Sequence, residues 1–131
     1  MKILVAEDDR LSRTFLREFM KEYGTCDSAV DGMETIDRYL DGIKDNAPYD
    51  LLCLDIMMPK VDGLKVLKVI RGLEDQYKIP NEKRLKIIMM TAIADLDYVD
   101  QAFEMGCDAY ASKPIDTNKI IDVMKSLGLV E

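Results

Sequence analysis

The 131-residue chain contains no histidine. That absence removes imidazole metal sites, imidazole general bases and the hydrolytic triads built on them, so acid–base or nucleophilic chemistry falls to carboxylates. Cysteine is scarce as well. Cys26, Cys53 and Cys107 share no close metal-ligand spacing and, being three, cannot all pair within the chain. They read as small core or near-core thiols in a reducing compartment. Any bound metal is then expected to be a hard, oxygen-liking cation. No Gly-rich phosphate-cradling loop occurs, so the chain shows no nucleotide site of its own. Long hydrophobic runs are also missing. The apolar start at residues 3–6 stops at Glu7-Asp8-Asp9, far short of a signal or membrane segment, and a cytoplasmic location is expected. Positive charge is in deficit: 18 Lys and Arg against 25 Asp and Glu give a net charge of -7 and a pI near 4.7. That balance argues against general binding to nucleic acid or to an anionic membrane.

The remaining composition, 48% hydrophobic and 33% charged, is that of an ordinary globule with a real core. We expect one domain over residues 1–131, with no linker, low-complexity tract or output domain. Short apolar runs at residues 3–6, 51–54 and 85–90, with weaker ones at 26–30 and 109–112, read as strands. Between them the apolar spacing becomes helical. Leu11, Phe15, Leu16, Phe19, Met20 and Tyr23 form one stripe, with Gly24 placed to stop the helix as a left-handed cap. Met33, Ile36, Tyr39, Leu40 and Ile43 form the next, and Leu64, Leu67, Ile70 and Leu73 a third. Residues 74–84 are polar and carry Pro80 and Asn81, either a long connection or a frayed helical extension. Residues 95–105 predict a fourth helix with Val99 and Phe103 inward, closed by Gly106. Asp116 or Thr117 caps a fifth carrying Ile120, Ile121, Met124 and Leu127. Strand and helix alternate five times. The economical solution is an α/β, doubly wound (βα)5 domain with a five-stranded parallel sheet and helices on both faces.

In such a sheet, ligands bind beyond the carboxyl ends of the strands. Glu7 and Asp8 follow the first strand, Asp55 the third, Thr91 the fourth and Lys113 the fifth, so all five converge at one end. Asp55 alone is either the first residue of a polar turn or a reactive group at the sheet edge. Three crowded carboxylates repel one another, which a divalent cation relieves; Mg²⁺ or Mn²⁺ is the expected ion. A carboxylate, a bound cation, an ammonium and a hydroxyl suit phosphoryl transfer through an aspartyl phosphate. Asp55 is then the nucleophile, Lys113 neutralises phosphoryl charge and Thr91 donates a hydrogen bond.

The ordered set Ile3-Leu4-Val5, Glu7-Asp8, Leu54-Asp55, Met58-Pro59, Asp62-Gly63, Met90-Thr91-Ala92 and Gly106 through Tyr110 to Lys113-Pro114 closely resembles the receiver domains of bacterial two-component response regulators, the CheY-like family. The resemblance runs from Lys2 to about Leu127. It implies a flavodoxin-like fold and transfer of a phosphoryl group to Asp55 from a sensor histidine kinase or histidine phosphotransfer protein. It also implies a Mg²⁺ site formed by Asp8 directly, Glu7 through water, Asp55, and the backbone carbonyl of Met57. Thr91 and Tyr110 become the conformational switch, and the face of the fourth helix, fifth strand and fifth helix becomes the output surface. Met57 and Ile93 take positions that govern water's access to the acyl phosphate. Both are apolar, so slow autodephosphorylation is expected. The implied protein is a signalling switch with self-phosphorylating and limited self-dephosphorylating chemistry, not a turnover enzyme. It would act as a monomer or as a phosphorylation-dependent homodimer, on an output protein that the sequence does not specify. The alternatives are a small Mg²⁺-dependent phosphatase or phosphotransferase with an aspartate nucleophile, and a receiver-like adaptor that works unphosphorylated.

Overall fold

The three strands in the middle of the sheet carry apolar residues on both faces because both faces are covered. In the computed structural model, which describes residues 1–92 and 97–131, the strands are β1 (Lys2–Ala6), β2 (Thr25–Ala29), β3 (Leu51–Asp55), β4 (Lys86–Thr91) and β5 (Ala109–Ser112). They form one parallel sheet in the order β2-β1-β3-β4-β5. The helices are α1 (Arg10–Met20), α2 (Gly32–Lys44), α3 (Gly63–Gln76), α4 (Val99–Glu104) and α5 (Thr117–Ser126). Strand residues alternate between two cores, as the two-residue strand period requires. Leu4, Leu52, Leu54, Ile87 and Met89 meet Tyr39 of α2 and Val66, Leu67 and Ile70 of α3. Ile3, Val5, Leu51, Cys53, Ile88 and Met90 meet Leu16 and Met20 of α1 and Ile120 and Met124 of α5. Burying one such Leu or Ile side chain is worth roughly 1.5–3 kcal/mol, which makes this alternation the main lock on register.

Aspartates start four of the five described helices. Asp9, Asp31, Asp62 and Asp116 each accept a hydrogen bond from a backbone N–H of the first turn, at 2.9–3.0 Å. Part of the acidic excess therefore serves as N-caps, where a carboxylate satisfies orphan donors and faces the positive end of the helix dipole.

Several expectations are corrected. Leu11 is 80% exposed and Phe15 is also exposed, so neither belongs to the buried stripe of α1. At about 100° per residue, Leu11 lies about 140° around the helix from Leu16, on the far side from the core. Met33 and Phe103 are likewise exposed, and in α4 the buried position is Ala102. Gly24 is not a left-handed cap, since only Gly106 and Gly128 among the glycines have positive φ. Its constraint is proximity: a Cβ there would lie 2.9 Å from the Met1 carbonyl carbon. Residues 74–76 are not frayed. They complete α3, and Glu74 is fully buried, accepting hydrogen bonds from Leu85 N at 2.7 Å and Arg71 Nη1 at 2.7 Å. The proposed start of the fourth helix at Asp95 lies outside the described residues.

Candidate phosphoacceptor site

The strand order sends the connection after β1 to one side of the sheet and that after β3 to the other, opening a crevice between their carboxyl ends. Glu7 leaves β1 with its backbone fixed by a 3.1 Å hydrogen bond from its N–H to the Ala29 carbonyl. Asp55 ends β3 and is only 4% exposed. The 56–63 turn beyond it closes on itself through Gly63 N to Ile56 O at 2.7 Å. Gly63 must be glycine here, because a Cβ would fall 2.7 Å from Ile56 Cα. This tight return lets α3 start directly against the end of β3. Thr91 ends β4 and is buried, and Lys113 follows β5, its N–H donating to the Thr91 carbonyl at 2.7 Å. The Lys113–Pro114 bond is cis.

Four of the expected residues are thereby brought together. Carboxylate oxygens of Glu7, Asp8 and Asp55 lie within 4.8 Å of one another. Glu7 and Asp55 are buried, whereas Asp8 is exposed at the mouth. The Lys113 ammonium donates to Glu7 Oε1 at 2.9 Å and to Asp55 Oδ2 at 3.0 Å, bridging the two buried acids. Asp55 Oδ1 accepts from the Met57 N–H at 3.1 Å. Glu7 Oε2 is fully enclosed and has no hydrogen-bond partner among the described residues.

One ammonium between two buried carboxylates leaves a deficit of positive charge. Burial above all, then the hydrogen bond and charge of Asp55, push the Glu7 carboxyl up to about 8, against the opposing pull of Lys113. Burial alone would lower the Lys113 ammonium, but its hydrogen bonds to Glu7 and Asp55 reverse that and hold it above the ordinary lysine value. An enclosed, unpartnered carboxylate oxygen beside two more carboxylates is the donor set that a hard divalent cation completes. The residues present fit such an ion.

Thr91 and Tyr110 are near one another in the fold but not engaged with Asp55. The Thr91 hydroxyl donates to the Ala92 carbonyl at 3.0 Å. Tyr110 is 44% exposed, its ring edge-on to Phe103 at a centroid distance of 6.2 Å. Met57 is exposed, and Ile93 lies outside the described residues. Arg13 was missed from the sequence. It donates to the carbonyls of Glu7 and Asp8, each at 3.1 Å, and so staples the acidic turn to α1. The available signal was a cation in the first turn of a helix, where the dipole disfavours it unless a specific acceptor is near.

Fold and crevice together define a class: a doubly wound parallel sheet with an acidic, lysine-bridged pocket at its switch point. The sequence model for the response regulator receiver domain matches residues 3–125, and the chain belongs to that family, a class of domain controlled by phosphorylation. The transcriptional regulatory protein ResD of Bacillus subtilis is 35% identical over 127 residues, covering 96% of this chain and 47% of ResD. A probable histidine kinase 2 of Oryza sativa subsp. indica is 29% identical over 134 residues, covering 95% of this chain and 12% of that protein. The chain thus spans less than half the length of these relatives. Among solved structures, the Saccharomyces cerevisiae co-crystal of the phosphotransfer protein Ypd1 with the receiver domain of Ssk1 gives a TM-score of 0.80 at 20% identity, covering 99% of this chain and 92% of that one. At that identity the likeness speaks for the fold. No helix among the described residues is long and apolar enough to cross a membrane.

Proposed function

We propose that Asp55 accepts a phosphoryl group from a phosphohistidine on a histidine kinase or phosphotransfer protein, and that the resulting acyl phosphate switches the domain. The observation that carries this reading is the Lys113 ammonium bridging Asp55 Oδ2 and Glu7 Oε1 in a buried crevice. An Asp55 oxygen attacks phosphorus, the P–O bond forms as the donor's P–N bond breaks, and the imidazole leaves with the bonding electrons. Lys113, already within 3.0 Å of the attacking carboxylate, follows the charge onto the phosphoryl oxygens. The Met57 N–H, bonded to Asp55 Oδ1, keeps the carboxylate plane fixed during attack. Glu7, Asp8, Asp55 and the Met57 carbonyl would hold Mg²⁺, with Mn²⁺ the other ion suited to these donors. When bound, the ion supplies charge neutralisation for the phosphoryl oxygens.

Thr91 and Tyr110 complete the reading as the switch. The phosphoryl group brings new acceptor oxygens to the end of β4, a reason for the Thr91 hydroxyl to leave Ala92 and for Tyr110 to turn into the space vacated. Met57 and Ile93 limit water's approach. An apolar shelf of Leu11, Phe15, Pro114 and Ile115 lies directly beside Lys113. Exposed hydrophobics next to a nucleophile suit a phosphodonor protein that must bring its histidine to Asp55. The same reading has the domain working in the cytoplasm, in keeping with free Cys26, Cys53 and Cys107. Acetyl phosphate with Mg²⁺ followed by intact mass tests it: a gain of about 80 Da, one phosphoryl group, absent in Asp55→Asn, is expected. No gain at saturating donor overturns it.

A further inference from the structure

The connection between α3 and β4 stood out in the sequence for its length and charge, and the phosphoacceptor site makes no use of it. It forms one wall of a cavity of about 240 Å³ at the opposite end of the sheet, where chain enters β3 and β4. The facing wall comes from the end of α2 and the loop that follows it. Three tyrosines line the space: Tyr39, Tyr49 and Tyr77.

The tyrosines differ in what their hydroxyls do. Tyr49 is committed, donating to Asp27 Oδ2 at 2.6 Å while the Lys2 ammonium lies 4.3 Å from its ring centroid. Tyr77 is exposed at the mouth. Tyr39 is only 2% exposed, yet none of the hydrogen bonds formed among the described residues involves its hydroxyl. Buried hydroxyls in folded proteins are almost always partnered. Glu7 Oε2 is the one side-chain polar atom among the described residues that is both sealed off and unpartnered. The Tyr39 hydroxyl is not sealed off, and the cavity that Tyr39 lines is where it can find a partner. It is a polar group in a wall that is mainly aromatic and aliphatic, with Asn46 the other uncharged polar side chain that lines it besides the tyrosines.

The charged side chains that line the cavity are of one sign. Lys78 and Lys83 line it, no carboxylate does, and neither lysine forms an ion pair among the described residues. On a chain of net charge -7, this is a local reversal. Lys78 sits in the left-handed turn, φ 54, that ends α3. Flat ring faces, one free buried hydroxyl and two unpaired cations at the rim are complementary to a single kind of ligand.

We propose that this cavity binds a small planar aromatic anion, its ring against Tyr49 and Tyr77, a polar atom on the Tyr39 hydroxyl and its negative group between Lys78 and Lys83. The volume suits one or two fused rings, since pockets for drug-sized ligands begin at about 300 Å³. Titrating the ¹⁵N-labelled full chain with indole-3-acetate, and separately with the uncharged indole-3-acetamide, tests it. Amide shifts should be confined to residues 39–49 and 77–85. Tyr39→Phe should weaken indole-3-acetate binding by roughly twofold to tenfold, the worth of one hydrogen bond. The Lys78→Ala/Lys83→Ala pair should abolish the preference for acetate over acetamide. No shifts at millimolar acetate, shifts elsewhere, or equal binding of acetate and acetamide to the unaltered chain overturns the proposal. Phosphoryl uptake at Asp55 by the same variants, none of which alters that site, reports intact folding, so failure here is separate from failure of the phosphoacceptor reading.

Discussion

Replacing Glu7 by Gln should stabilise the metal-free protein at alkaline pH. In the crevice the Glu7 carboxyl is raised from 4.5 to about 8, chiefly by burial and then by Asp55. Between those values the folded state holds a proton that the unfolded chain has released. Stability is therefore fully present below about 4.5 and is lost as pH climbs through 8. At about 1.4 kcal/mol per pH unit, the loss across the window is on the order of a few kcal/mol. Other shifted groups act elsewhere. Asp9, Asp31 and Glu18 are lowered by their hydrogen bonds and matter only in acid, where their stabilisation is lost as pH falls. Cys26, Cys53 and Cys107 are pushed up to about 11 or 12 by burial and matter only above their ordinary value of 9.0. Gln keeps an oxygen for Lys113 but carries no titrating proton. Urea unfolding from pH 5.5 to 8.5 in a chelator should thus give a falling stability for wild type and a nearly level one for Glu7→Gln, with the variant more stable at pH 8. Added Mg²⁺ should raise wild type more than the variant, because the ion relieves the charge that Glu7 otherwise relieves with a proton. Parallel pH profiles, or a variant less stable than wild type at pH 8 in chelator, would refute the charge-deficit account.

Lys113→Met leaves Glu7 and Asp55 facing each other without the bridging ammonium, and should slow adduct formation from acetyl phosphate by roughly 10- to 100-fold; a time course by intact mass with an unchanged rate would remove Lys113 from the chemistry. Met57→Asn/Ile93→Glu gives water polar groups to orient it, and should speed loss of the phosphoryl group by about tenfold or more. Phosphate release from the purified adduct measures this, and an unchanged or slower rate would sink the idea. Glu74→Ala strips acceptors from the Leu85 N–H and from Arg71 in a fully buried position. A destabilisation of about 3 kcal/mol is expected in urea unfolding, and less than about 1 kcal/mol, the worth of an ordinary exposed ion pair, would show the buried clamp to be dispensable.

The site was more legible than the cores. Each of Glu7, Asp55, Thr91 and Lys113 stands at the last position of a strand or the first beyond it, so finding the strands was enough to gather them. The contact that defines the crevice was not legible. Lys113 lies 106 positions from Glu7 and 58 from Asp55, and a flexible lysine's choice of partner has no sequence period. Helical spacing located α1 but overestimated its apolar face, because periodicity cannot say how wide a stripe the sheet covers. Leu11 and Phe15 therefore read as core and lie instead beside Lys113. Glu74 reads as polar surface because a buried carboxylate is rare. Its burial depends on Arg71, which also holds Asp108 at 3.0 Å, a partner 37 positions away.

The unphosphorylated geometry also bears on how little the proposed switch has to break. The Thr91 hydroxyl makes one hydrogen bond among the described residues, to the Ala92 carbonyl at 3.0 Å, and moving it to a phosphoryl oxygen would exchange that neutral bond for a charge-assisted one. Tyr110 would give up an edge contact with Phe103, worth about 0.5–1.5 kcal/mol, and would gain burial of a ring now half exposed. Lys113 has the most to lose, two charged bonds, yet one of them is to the carboxylate that, as proposed, would become the acyl phosphate. Its remaining tie is to Glu7. A cation held by Glu7, Asp8 and Asp55 would weaken that tie by sharing the carboxylate's charge, freeing Lys113 for the phosphoryl group. In the proposed switch, the position of Glu7 between proton, lysine and metal would set the ease of switching. If so, Glu7→Gln should still accept a phosphoryl group, but with a weaker dependence of the rate on Mg²⁺ concentration than wild type. A rate as steeply Mg²⁺-dependent as that of wild type would assign the control to Asp8 and Asp55 alone.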